Sequence, residues 1–324
     1  MGGSIAMTNE QYARNIQVPT RPIDAVLDTD AFNEIDDQYA IAYLLACREK
    51  IRLQAIYAAP FAPYPNREGV SPGVGMEQSY HEILKILDLC NRRVDVFRGS
   101  CAYLVDEQTP RESEVARDLV ERAHRYSPED PLYVIAIGAI TNVASALLID
   151  PSIAENIVIV WLGGNARHMG NGWKEYNMVQ DVPAARVVMS SQAPLIQLPC
   201  IGTVTHFTVS EGDLEKYFIG KNPVMDYLAR NTIDAAGQYA AGKPWSRVVW
   251  DVTAVGWLMS DVNNAFGYRT VATRLPNANC DYEEAELDKP MTYVFFVNRD
   301  QLMYDLVERL STFSAEENLD ETLV

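Results

Sequence analysis

The sequence predicts an α/β fold: a mainly parallel central sheet with helices on both faces. Three observations carry this. Short apolar or β-branched runs recur along the chain, helix-spaced stretches separate them, and strand-like and helical stretches alternate, as in a parallel sheet covered on both faces. In order, the strand-like runs are Ile23 to Leu27, Ile51 to Tyr57, Val94 to Phe97, Leu132 to Ile137, Ile157 to Leu162 and Leu195 to Leu198. Between them, Met76, Tyr80, Ile83, Leu84 and Leu87 repeat at helical spacing, as do Val115, Leu119, Val120 and Ala123, and each stretch is long enough for a crossover helix. From about Glu211 the pattern turns more helical. It returns to strand at Tyr268 to Thr273 and Met291 to Val297, and a final helix is predicted near Arg299 to Leu310.

No Pro/Ser/Gly-rich connector or internal repeat divides the chain, so one domain over 1–324 is expected, with an elaborated C-terminal part at about 211–324 and an N-terminal extension at 1–20. The formal charge is −17, from 44 acidic and 27 basic side chains, and there is no Lys/Arg-rich run, which excludes ordinary phosphate-driven nucleic-acid binding. Nowhere do eighteen apolar residues run together and residues 1 to 20 are polar, so neither a membrane span nor an export signal is expected. Five separated cysteines without a C-x-x-C pair argue against a disulfide framework and a cysteine zinc cage. A cytoplasmic location fits that chemistry. Trp245 and Trp257 are candidates for a subunit contact.

In a parallel sheet the ligand site lies beyond the carboxyl ends of the strands, so the loops there matter most. Three are polar and rich in small residues: Asp28 to Asp37, Ala59 to Gly75 and Gly163 to Asp181. The first places five carboxylates, Asp28, Asp30, Glu34, Asp36 and Asp37, between an apolar strand and an almost wholly apolar helix. Packed carboxylates raise one another's pKa unless a cation, a donor or a helix N-terminus stabilises them, and a hard divalent ion with oxygen ligands does so. Helix capping accounts for one or two of the five. It does not require acids at the strand end.

This segment resembles the D-x-D-x-x-x-D-D loop of the nucleoside hydrolases, with two extra residues between Asp30 and Asp36. Gly138-Ala139-Ile140-Thr141-Asn142-Val143-Ala144 resembles that family's G-P-L-T-N-L-A turn, and Trp161-Leu162-Gly163-Gly164, Asn171, Glu175-Tyr176-Asn177 and Asp181 resemble its ribose-holding segment. Val204-Thr205-His206 matches a short V-T-H element, and Trp250-Asp251 stands where many members have His-Asp. The asparagine usual after the second strand has no counterpart at Ala58 to Phe61; Asn66 is the nearest in the loop. The motifs appear in family order between about Ala25 and Leu258.

The resemblance implies a Rossmann-like nucleoside hydrolase fold and a calcium-dependent N-ribosyl hydrolase that releases ribose and a free base. It implies a Ca²⁺ ion held by Asp30, Asp37, Asp251 and the Thr141 carbonyl, with Asp30 also the catalytic base. Asp36, Asn171, Glu175, Asn177 and His206 would bind a nucleoside or other riboside, with Trp250 as a platform for the base. It also implies a homodimer or homotetramer. An indole carries no proton to give near neutrality, so Trp250 cannot replace the family histidine as an acid. Two rivals remain open on the residues. Asp28-Thr29-Asp30 also resembles the D-x-D motif of haloacid-dehalogenase phosphatases with their Mg²⁺, and the same loop could order a noncatalytic calcium- or sugar-binding protein.

Overall fold

The structure is a computed structural model that describes residues 6–62, 70–169 and 174–313. Its main sheet has eight strands: β1 (Ile23–Thr29), β2 (Ile51–Ala58), β3 (Asp95–Arg98), β4 (Leu132–Ala136), β5 (Ile157–Leu162), β6 (Leu195–Leu198), β9 (Phe266–Thr273) and β10 (Leu287–Val297). Two three-residue strands, β7 (Thr208–Ser210) and β8 (Ser246–Val248), pair antiparallel in a separate ribbon. The order in the main sheet is β3-β2-β1-β4-β5-β6-β10-β9. Every pair is parallel except β10 with β9.

Alternation along each strand explains the layers. Leu27, Ile56, Ile135 and Val160 point into one apolar cluster with the helices Asp36–Ala46, Pro72–Leu89, Pro223–Ala240 and Arg299–Leu310. Their neighbours Val26, Ala55, Val134 and Ile159 point into a second cluster with Glu114–Ala123, Thr141–Ile149 and Val182–Ser190. Each fully buried aliphatic side chain contributes roughly 1.5–3 kcal/mol against exposure, so both faces favour one register. A one-residue slip would exchange the two sets.

The expected α/β architecture is therefore the one observed. β1 runs two residues beyond its apolar run, because Asp28 and Thr29 pair with Tyr57 and Ala58. The ribbon strands β7 and β8 are new, and three residues are too few to show a period. Trp257 is fully buried and packs edge-on against Tyr268, with ring centroids 5.9 Å apart, so it belongs to the core and not to a subunit contact. Among the described residues no helix is long and apolar enough to cross a membrane.

The chain reverses direction across the sheet between β1 and β4. In such sheets a crevice opens at that switch point, beyond the strand ends.

Candidate active site

A cavity of about 280 Å³ opens at that point. Residues at or just past the carboxyl ends of four strands line it: Asp30 after β1, Ile137 after β4, Leu162 ending β5, and Cys200 after β6. Asp36, Asp37 and Asp251 complete its floor, and all four aspartates are at most 4 % exposed.

Local geometry shows why these acids are where they are. The helix Asp36–Ala46 is buried from Asp36 to Leu45, so its first turn has nowhere to point but into the cavity. Its cap residue, Ile35, makes no side-chain cap bond, and Asp251, which caps Val252–Leu258, makes none either. Capping therefore does not explain the carboxylates of Asp36, Asp37 or Asp251. One oxygen from each of these three lies within 4.8 Å of the other two. Thr29 Oγ1 donates to Asp37, and Asp30 Oδ2 is buried without a hydrogen-bond partner among the described residues. Gly138 fits beside Asp30 because it has no side chain: a Cβ there would stand 2.6 Å from Asp30 Oδ1.

Burial dominates the electrostatics. It pushes Asp30, Asp36 and Asp251 well above the usual carboxylate range and Asp37 up to about 7. Neighbouring acids add to this: Asp37 acts on Asp30, Glu34 and Asp37 act on Asp36, and Asp36 and Asp37 act on Asp251. Arg247 opposes the shift at Asp36. The set consists of hard oxygen donors, mutually repelling and with an orphaned oxygen at Asp30, which is the donor chemistry a calcium or magnesium ion takes. These residues fit such an ion. The oxygens closest to one another include Asp36, which the sequence assigns to the sugar, and not Asp30.

Other expected residues fall into three groups. Trp250 lines the cavity, half-buried. Glu175 and Asn177 also line it, but much of their polar capacity is already used. Glu175 caps the short helix Tyr176–Gln180 and accepts from the amides of Gly164, Asn177 and Met178 at 2.7, 2.8 and 2.8 Å. Asn177 Nδ2 donates to the carbonyls of Ile137 and Leu162 at 3.0 and 2.9 Å. Thr141 and His206 are not brought to the cavity. Thr141 opens the helix Thr141–Ile149, fully buried, with its hydroxyl donating to Asp181 at 2.6 Å. The residue that the same turn sends to the cavity is Ile137. His206 is exposed, with Nδ1 3.2 Å from the Thr203 carbonyl. Asn171 and Asn66 lie outside the described residues.

Asp28 is turned away from the cavity. It is fully buried, accepts from Asn142 Nδ2 at 2.7 Å, and is pushed by burial to about 7. A phosphatase nucleophile at that position would have to face the substrate, so this geometry speaks against the D-x-D reading. Sequence reasoning left Asn33, Glu34, Lys174, Tyr176 and Arg247 unassigned, and all five line the cavity. Glu34 was visible as one of the clustered acids. Arg247 gave no local signal, since an isolated cation in a short strand looks like any surface arginine.

The model of the family described as inosine-uridine preferring nucleoside hydrolase matches residues 25–301. A pyrimidine-specific ribonucleoside hydrolase of Citrobacter koseri is 29% identical over 151 residues, which are 44% of this chain and 47% of that protein. The chain thus spans about half the length of that relative. A non-specific ribonucleoside hydrolase of Salmonella paratyphi B is 26% identical over 267 residues, 74% of this chain and 79% of the relative. Among solved structures, a purine-preferring ribonucleoside hydrolase from Gardnerella vaginalis superposes with a TM-score of 0.71 at 20% identity, covering 89% of this chain and 98% of that one, which speaks to the fold. With the family model matching most of its length, the chain belongs to the inosine-uridine preferring nucleoside hydrolase family.

Proposed function

We propose that this protein hydrolyses the N-glycosidic bond of ribonucleosides, releasing ribose and a free base, with a calcium ion at the acidic floor. The observation that carries the reading is the convergence of Asp30, Asp36 and Asp37, from the start of the chain, with Asp251, from its late part, on one buried cavity. Asp36, Asp37 and Asp251 would hold the ion, with Asp30 beside them. When bound, a hard divalent cation offsets the carboxylate repulsion and lowers the pKa of a water molecule in its shell.

The chain's own residues do the rest. Asp30, with a free buried oxygen, accepts the proton of the attacking water. This buried carboxyl would be kept ionised, as a base must be, by a cation bound beside it. As the glycosidic bond lengthens, the sugar gains oxocarbenium character, and the ring of buried acids stabilises that positive charge. Asn177, fixed by its two amide bonds, keeps its side-chain oxygen for a sugar hydroxyl. Glu175 holds the wall in shape through the backbone and contributes what acceptor capacity remains. Trp250 offers a face on which the base can stack. A nucleoside or related riboside is the proposed ligand. A homodimer or homotetramer and a cytoplasmic setting are proposed on the family resemblance and on the five free cysteines.

The test is a panel of inosine, uridine, p-nitrophenyl riboside and p-nitrophenyl phosphate, with calcium and after chelation. Reducing sugar released in the presence of calcium and lost with the chelator is the expected result. Phosphate release, or no release from any riboside with calcium present, would overturn the reading.

A further inference from the structure

The cavity has a floor and a mouth with different chemistry. The floor is four nearly inaccessible aspartates; the mouth carries Glu34 and Arg247, whose side chains are 45% and 25% exposed, together with the half-buried Trp250. A riboside that places its anomeric carbon against the floor acids must direct its leaving group toward that mouth. Departure of a base leaves negative charge on its ring nitrogen, which a positioned donor must stabilise. Trp250 carries no charge and offers only a single indole N–H.

Of the other donors on the lining, Lys174 is exposed, while Tyr176 and Asn177 are engaged. The Tyr176 hydroxyl donates to the Ala62 carbonyl at 2.6 Å, and both Asn177 amide protons are spent on Ile137 and Leu162. Arg247 differs. Its Nη2 meets Glu34 Oε1 at 2.8 Å, while its Nε is buried without a hydrogen-bond partner among the described residues. It is held from both sides, by the Glu34 carboxylate and by its place in β8, where it sits opposite Val209 of β7. The planar guanidinium presents several N–H groups in one fork, suited to adjacent acceptors such as the oxo and ring-nitrogen edge of a purine. Glu34 lies within the segment that is two residues longer than the family pattern, so the partner that orients Arg247 comes with the longer loop.

We propose that Arg247, oriented by Glu34, stabilises the departing base by donating to its acceptor edge, in place of a histidine acid. This rests on the nucleosidase reading above. In the step, the bond between the anomeric carbon and the base nitrogen breaks with its electron pair going to the base. Water gives its hydroxyl to the anomeric carbon and its proton to Asp30. The base, held by Arg247, takes a proton from solvent at the mouth, so one water is consumed and no other reactant is needed.

The experiment measures kcat/KM of wild type, Arg247→Met, Arg247→Lys and Glu34→Gln on inosine, uridine and p-nitrophenyl riboside, with thermal midpoints for each. Removing one donor to a developing anion costs about a hundredfold or more. The expected result for Arg247→Met is therefore a loss of about a hundredfold on inosine and uridine but no more than about fivefold on p-nitrophenyl riboside, whose nitrophenolate leaves unaided. Lysine should rescue little of the loss, and Glu34→Gln should show the same substrate selectivity to a smaller degree. An equal loss on all three substrates, or none, overturns the proposal. If Arg247→Met fails to fold, the Glu34→Gln selectivity decides it by the same criterion. If wild type turns over no riboside, the nucleosidase reading fails, and calorimetric binding of inosine then decides the rest. Binding weakened tenfold or more in Arg247→Met upholds base recognition, and binding that is absent or unchanged overturns it.

Discussion

Buried acids make a prediction about stability that runs against the usual acid sensitivity of proteins. In the metal-free protein, burial holds the Asp37 carboxyl at about 7, against a value near 3.9 in an unfolded chain. The folded state therefore binds this proton more tightly than the unfolded state. Stability from the protonated group is fully present below about pH 4 and is lost as pH rises toward 7. Between pH 5 and 8 the loss is roughly 2–3 kcal/mol for one such group. Asp28, also held at about 7, contributes a similar amount from outside the cavity. At roughly 2 °C per kcal/mol for a chain of this size, the two together lower the thermal midpoint by about 10 °C over that range, and Asp30, Asp36 and Asp251, also raised by burial, deepen the fall. Calcium should act only on the cavity acids. At a hundred times its Kd it adds about 2.7 kcal/mol, and more at higher pH, because binding displaces protons. The assay is differential scanning calorimetry at pH 5, 6, 7 and 8, in chelator and in calcium, on wild type and Asp37→Asn. The midpoint in chelator should fall with pH, calcium should flatten the fall, and Asp37→Asn should make it shallower. A midpoint in chelator that is flat or rises from pH 5 to 8 would refute the reasoning.

Three further substitutions probe separate parts of the site. Asp30→Asn should lower kcat by about 10²–10⁴ while leaving the thermal midpoint unchanged or raised, since it removes a repelling charge; an unchanged rate would take the base role away from Asp30. Gly138→Ala places a Cβ 2.6 Å from Asp30 Oδ1 and should displace that carboxylate, at a cost of about a hundredfold in kcat/KM; wild-type kinetics would show that Asp30 has room to move. Trp250→Ala should raise KM for nucleosides roughly tenfold, as expected for a lost stacking face, and an unaltered KM would leave Trp250 as wall packing only.

Much of this was legible in the residues, and the reasons for the rest are physical. Strands such as Ile157–Leu162 were readable because a strand buried on both faces is apolar along its whole length. Asp30, Asp36 and Asp37 could be singled out because acids clustered between apolar segments need an explanation beyond solvation, and Asp251 through its resemblance to a family motif. The turn after β4 was readable as a motif but not in its detail. What a turn offers a ligand can be a backbone carbonyl, which no side chain labels, and the structure sends Ile137 to the cavity and Thr141 into a helix. Glu175 and Asn177 could be placed at the site, but not their engagement with backbone groups, which depends on where distant strands end. Arg247 was invisible because its meaning comes from Glu34, far away in sequence.

The late arrival of Asp251 has a consequence for synthesis. During translation the first three floor acids leave the ribosome long before the fourth, and the segment carrying Arg247 and Trp250 emerges just ahead of it. A nascent chain lacking that segment has only part of the pocket, however well its early strands have paired. The pocket is therefore assembled only after Asp251 has been made, and products terminated before it lack one of the floor acids.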